Sequence, residues 1–410
     1  AGAGRMGMLL YQMGVRYPVA TTTAIALFAL YAVPFWFFVG ELDYLEREPP
    51  VLRATAFAWG GLVATSVAIP GNAAVHNLMA KLASIDVAGV WGSAIAAPTV
   101  EEPAKVLGVL AIALMARAQV NSVLDGVVYG ALVGLGFQVV EDVVFALSAV
   151  AVAGRGDQVS PVVATFFLRG FLAGLWSHTM FSALAGAGIG YLMVRSDRRL
   201  PTRLAVALSA VLGAWACHFL WNSPLVVDGL GDGALGVLVL LLLKGIPPLL
   251  VISLLIRAAH RREAAYYVRH LADLDDPLLV APGELRVLSS GARRAHARRH
   301  AHQRAGWRAR HAVRQLQQAQ ARLAVELSRA GTPPLDGSPP LDGSPGCTAA
   351  IQGCRDEVRA VRERLAMLGH PEASTPADEP GPWRRTAGAI GTAGLALAVV
   401  WAAISALGGR

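Results

Sequence analysis

Residues 122–152 read SVLDGVVYGALVGLGFQVVEDVVFALSAVAV. The run is longer than the roughly 20 apolar residues that carry an α-helix across a bilayer core. Gly126, Gly130 and Gly134 recur every fourth residue and form a flat stripe against which a neighbouring helix can approach closely. Beyond the stripe, Phe137 and Glu141 stand four residues apart on one helical face, followed by Asp142, which is read as turned towards water. An acid one turn beyond a glycine seam is hard to explain by packing, and ionisable groups inside spans mark function by default.

The rest of the chain supports the same fold class. Of 410 residues, 54% are hydrophobic and the mean hydropathy is +0.48, which is more apolar content than a soluble domain of this size requires. Apolar runs of spanning length lie near 19–40, 54–73, 86–117, 122–152, 161–195, 203–223, 233–257 and 386–407. The expectation is an all-α polytopic bundle of about seven spans plus a C-terminal eighth. The runs longer than one straight crossing are expected to tilt, kink or re-enter. The first run lacks a small-residue cleavage site and reads as a span rather than a removed signal peptide.

The formal charge is +8, and its placement sets the expected orientation. The loop from Arg195 to Arg203 carries four arginines, the next loop carries Asp228 and Asp232 without a cation, and the following one opens on Arg257, Arg261 and Arg262. By the positive-inside rule the 195–203 loop and the tail face the cytoplasm and Asp228 faces outside. Counting back places the 74–85 segment outside. Three parts are expected: residues 1–257 as the membrane domain, 258–382 as a basic, partly helical cytoplasmic tail, and 383–410 as a C-terminal transmembrane segment. Within the tail, 258–330 and about 355–367 read as helical, separated by a tandem Pro-Leu-Asp-Gly-Ser-Pro linker between Pro334 and Pro345. Its arginine run (Arg293, Arg294, Arg298, Arg299, Arg304) reads as a solvated or lipid-facing helix face rather than a nucleic-acid site, because no reading motif accompanies it. Cys217, Cys347 and Cys354 give neither a disulfide framework nor a zinc-ribbon spacing.

The chemistry is concentrated in four spans. In Glu101-Glu102-Pro103-Ala104-Lys105, the lysine shares a helix face with both glutamates. It can neutralise one carboxylate and leave the other for proton transfer. The bland reading of this segment is a capping ion pair at a helix end. His178 lies within a long apolar segment, and His218 precedes Asn222 by one turn, so that the Asn222 amide is expected to orient the imidazole. A lone buried histidine is more often a packing residue, but here two accompany buried acids. At 1.5 Å rise per residue from the cytoplasmic ends, Glu101, Glu102, Glu141, His178 and His218 all lie roughly 22–30 Å deep. A common layer in the outer half of the membrane argues for one site. Such a site suits hydrolysis, which needs a base for water, a group to stabilise the oxyanion and an acid for the leaving amine. No His-Glu-x-x-His helix is present, yet Glu141, His178 and His218 offer three ligands and leave an open position for zinc. The expected cofactor is therefore none or a divalent metal such as zinc.

The ordered set Glu101-Glu102-x-x-Lys105, Phe137-x-x-x-Glu141, His178 and His218 resembles the PrsW family of intramembrane proteases, which is related to the CAAX prenyl endopeptidase and Abi group. The likeness covers approximately residues 25–225 and includes Asp43-x-x-x-x-Glu48-Pro49-Pro50, Leu124 to Gly130, and His218 to Asn222. It implies that Glu101 and Glu102 activate water, with Glu141, His178 and His218 completing the site. Lys105, Phe137, Asp142 and Asn222 would support it. It also implies a membrane-protein substrate, single-pass in type, and a first cut of the anti-sigma-factor kind on the outer side of the membrane. Asp142 departs from the family, which usually has Asn there. Two other readings share the composition. An ion-coupled transporter also buries acids and histidines at one depth, but no duplication relates the two halves. A catalytically inactive scaffold would be marked by loss of a motif residue, and all five are present.

Overall fold

The computed structural model describes residues 2–42, 45, 48–172, 176–226, 234–274, 276–330, 345–371, 373 and 374. Among these residues every regular element is a helix. The first unit, Ala1–Glu263, contains α1 (Gly2–Arg16), α2 (Pro18–Gly40), α3 (Pro50–Ala58), α4 (Thr65–Leu82), α5 (Ile85–Met115), α6 (Val123–Ala153), α7 (Ser160–Phe167), α8 (Ser177–Val194), α9 (Leu200–Asn222) and most of α10 (Ala234–Ala272). Single π-helical segments, Trp59–Ala64 and Leu168–Leu172, follow α3 and α7. Five described stretches are long and apolar enough to cross a membrane: Pro18–Gly40, Pro50–Leu82, Val123–Ala153, Leu200–Asn222 and Leu242–Ala272. The chain is an all-α, multi-pass membrane protein. The expected segment 386–407 lies outside the described residues, as does Asp43.

The apolar run 161–195, one of those longer than a straight crossing, is interrupted. It ends α7 in a π-helical turn and begins again at α8, whose N-cap Trp176 has φ 67°. A left-handed conformation costs a residue with a β-carbon roughly 1–2 kcal/mol. The Trp176 ring packs at 4.3 Å from Phe35 and 5.0 Å from Phe38, which holds it there. The 74–85 segment, read as a loop, is helical to Leu82, because α4 continues past Pro70 and ends only at Ala83. α5 then starts at Ser84, whose hydroxyl accepts from Val87 N at 3.0 Å.

α6 is the centre of the bundle and is buried along most of its length. It begins at Ser122 with a reciprocal cap in which Asp125 accepts from the Ser122 backbone at 2.9 Å. Its closest neighbour is α8. An added Cβ at Gly126, Gly130 or Gly134 would lie 2.3, 2.1 or 2.2 Å from the carbonyl oxygens of Gly186, Ser182 and His178. The glycine stripe thus brings two backbones into contact and sets the height of His178 on α8. Gly60 and Gly136 do the same between α6 and the segment around α3, meeting Val133 O at 1.9 Å and Phe57 O at 2.0 Å. In the Arg195 loop, hydrogen bonds from Arg195 hold the Asp197 carboxyl below the usual carboxylate range.

The second unit, Ala264–Arg410, contains the end of α10, α11 (Pro282–Leu288), α12 (Gly291–Ala330) and α13 (Pro345–Met367). α12 breaks at Ala305 and Gly306, where Gly306 takes φ 77°. Its small apolar core, with Val313, Leu316, Leu323, Val358 and Leu365, surrounds a buried Glu284. That carboxylate receives Gln320 at 2.8 Å and Arg362 at 2.7 Å. Of the basic run, Arg293, Arg299 and Arg304 are exposed, whereas Arg294 is buried and donates to Leu288 O at 2.7 Å.

Candidate active site

α5 carries Glu101, Glu102 and Lys105, all within 1% exposure, midway along a helix that contains Pro98 and Pro103. A buried lysine must be paired. Lys105 Nζ lies 2.6 Å from Glu102 Oε1, 3.9 Å from Glu101 Oε2 and 4.5 Å from the centre of the Phe137 ring. Its fourth neighbour is His178 Nδ1, at 3.1 Å. The helix-face reading of Glu-Glu-x-x-Lys therefore gives the observed pairing, and Phe137 closes the apolar side of it.

The partners fix the histidine tautomers. Ammonium only donates and carboxylate only accepts. His178 Nδ1 therefore accepts from Lys105, and its Nε2–H faces Glu141 Oε2 at 3.2 Å. His218 Nδ1–H donates to Glu102 Oε1 at 2.8 Å, which leaves its Nε2 as a free acceptor 3.9 Å from Glu101 Oε2. The two imidazoles meet edge to face at 5.0 Å. Asn222 does not orient His218. Its Nδ2 reaches Ser93 O at 3.4 Å, and Glu102 has the orienting role.

Glu101 Oε1 accepts from Asn72 Nδ2 at 2.8 Å, while Glu101 Oε2 is buried without a hydrogen-bond partner. Around that orphaned oxygen, His178 Nδ1 lies at 3.8 Å and His218 Nε2 at 3.9 Å. One donor atom from each of Glu101, His178 and His218 falls within 4.8 Å of the others. Zinc bonds of 2.0–2.2 Å place tetrahedral donors about 3.3 Å apart, so the set would have to draw in by roughly half an ångström at the 3.8 and 3.9 Å separations and by up to about 1.5 Å elsewhere. Two imidazoles and a carboxylate, one oxygen of it unsatisfied, fit a divalent cation, which would take the His178 nitrogen that Lys105 now contacts. The third member of this set is Glu101, where the sequence pointed to Glu141.

Glu141 is engaged elsewhere. Arg169, in the π-helical turn after α7, places its guanidinium nitrogens 2.6 Å from Glu141 Oε2 and 2.5 Å from Asp142 Oδ1. Asp142 is 1% exposed and does not face water. Arg169 and Asn72 were not singled out from sequence, although Arg169 stands in an apolar run and carries the same signal as the acids. A cavity of about 480 Å³ has Asn72, His76, Glu101, Glu141, Arg169 and His218 in its wall.

A membrane-spanning helical bundle that buries acids and histidines around a cavity suits a polytopic membrane enzyme, and equally an ion-coupled transporter. Residues 48–246 match the family model described as PrsW family intramembrane metalloprotease. That match, together with the membrane-spanning helices, supports intramembrane proteolysis as the activity of this segment. No curated protein and no solved structure shows a significant match to the chain.

Proposed function

We propose that the chain is an intramembrane protease whose hydrolytic centre is formed by Glu101, His178 and His218, which hold a divalent metal such as zinc between them. The observation that carries the reading is the meeting of these three side chains, from α5, α8 and α9, around one unsatisfied carboxylate oxygen at a cavity wall. A bound zinc would supply a water acidic enough to ionise near neutral pH and a Lewis acid for the scissile carbonyl. Asn72 holds the distal oxygen of Glu101. Glu102, neutralised by Lys105, fixes the ring of His218 with its Nε2 towards the cavity. Glu102 is therefore a positioning residue, whereas the sequence alone suggested a base. Glu141, beside His178 Nε2 and on the cavity wall, takes the proton from water and returns it to the leaving amine. Phe137 and the apolar neighbours keep bulk water from these charges.

The same reading extends to partners and placement. The substrate is a single-pass membrane protein cut in the outer half of the bilayer, as in the first cut of an anti-sigma factor. Residues 258–382 form a cytoplasmic tail that regulates the protease or binds partners, and 383–410 form a last transmembrane segment. The test compares the membrane proteomes of cells carrying the wild-type chain and the Glu101→Gln/Glu102→Gln double variant. Single-pass fragments that appear only with the intact glutamates support the reading and reveal the substrate. Equal fragment patterns, with the variant folded and inserted, contradict it.

A further inference from the structure

Asp142 and Arg169 form a second layer of charge behind Glu141 that the hydrolytic reading leaves without a role. The Arg169 guanidinium straddles two consecutive carboxylates of α6, with Nε 2.5 Å from Asp142 Oδ1 and one terminal nitrogen 2.6 Å from Glu141 Oε2. Its carbon lies 3.9 Å from the centre of the Phe145 ring, one turn along the same helix. The guanidinium is thus fixed at three points by one helix while its own backbone lies in the π-helical turn Leu168–Leu172. The geometry points to Arg169 as a positioning residue for the reaction, anchored by Asp142 and Phe145 and setting the Glu141 carboxylate against His178.

The argument rests on what Glu141 could otherwise do. Consecutive residues on a helix diverge by 100°, so Glu141 and Asp142 do not face one another without a bridging group. Without Arg169, Glu141 would stand beside a cavity with rotamer freedom, within reach of any cation held by the nearby histidines. A planar fork with two fixed donors removes that freedom, which a point charge would not. Asp142 does not border the cavity, so its part in this arrangement is to hold Arg169. An Asn at 142 keeps an acceptor oxygen for Arg169 Nε, and Ala does not.

This inference rests on the proposed hydrolytic role of Glu141. The test measures kcat and KM for the full chain co-reconstituted in liposomes with the single-pass protein recovered by the proteome comparison. Arg169→Gln, Arg169→Lys, Asp142→Ala and Asp142→Asn are compared with wild type. The expected result is a kcat at least about tenfold lower in Arg169→Gln and Asp142→Ala, with KM within about threefold and Asp142→Asn close to wild type, in line with the usual cost of losing an orienting partner. A raised KM with unchanged kcat would make Arg169 a substrate contact instead. Wild-type rates throughout would overturn the inference, as would loss of folding even in Arg169→Lys and Asp142→Asn, which would mark the pair as structural. Failure of the wild-type chain to cleave would count against the hydrolytic reading itself.

Discussion

At Glu102, one carboxylate oxygen serves both Lys105, at 2.6 Å, and His218, at 2.8 Å. A group committed twice is poorly placed to shuttle a proton, but it is well placed to hold an imidazole that binds a metal. Glu102→Gln should therefore lower zinc affinity by about 10- to 100-fold, the usual cost of losing such a partner, as read by calorimetric titration. A Glu101→Gln variant loses a proposed metal ligand and should reduce cleavage by more than about 100-fold, a loss of the order seen when a single transition-state contact is removed. Lys105 has a different part. Lys105→Met leaves Glu102 buried without its counter-charge and should cost about 3–5 kcal/mol of stability, visible as a lower thermal unfolding midpoint in detergent. These side chains were legible because charges in apolar runs stand out. Their partners were not, since spacing along a helix fixes depth and face but not what a neighbouring helix presents there. Asn222 illustrates the limit: it is one turn from His218, yet Glu102, on another helix, holds the ring.

The elements are positioned by contacts that need no side chain at all. Gly134 lies against the His178 carbonyl, so that a methyl group there would push α8 away from α6 at the histidine itself. Gly134→Ala should therefore cut cleavage severely. Gly7→Ala on α1, where a Cβ meets nothing within 4 Å, should leave it unchanged; equal activity of the two variants in the liposome assay would refute this account of the seam. The stripe on α6 was legible as a packing surface from its four-residue repeat. The position of the break before α8 was not, because the left-handed turn falls on a tryptophan instead of a glycine. Arg169 carried the same signal as the acids, but the π-helical turn that places it beside Glu141 and Asp142 leaves no mark on hydrophobic periodicity.

For the molecule as a whole, the all-helical membrane class followed from apolar runs alone, and the order of the motifs along them pointed to the family. What composition could not supply was the sorting of five ionisable residues into those that face the cavity and those that brace them. Every residue named at the cavity wall belongs to the first of the two units. A chain truncated after Ala272 is accordingly expected to retain cleavage within about threefold, as a unit with its own core would; complete loss in a truncated chain that still inserts would assign the tail a part in the reaction. The most direct test of the account is the zinc content of the purified, metal-loaded full chain, measured beside the Glu101→Gln, His178→Ala and His218→Ala variants. One zinc per chain in the wild type and its loss in all three variants is the predicted result, and equal zinc in wild type and variants would contradict it.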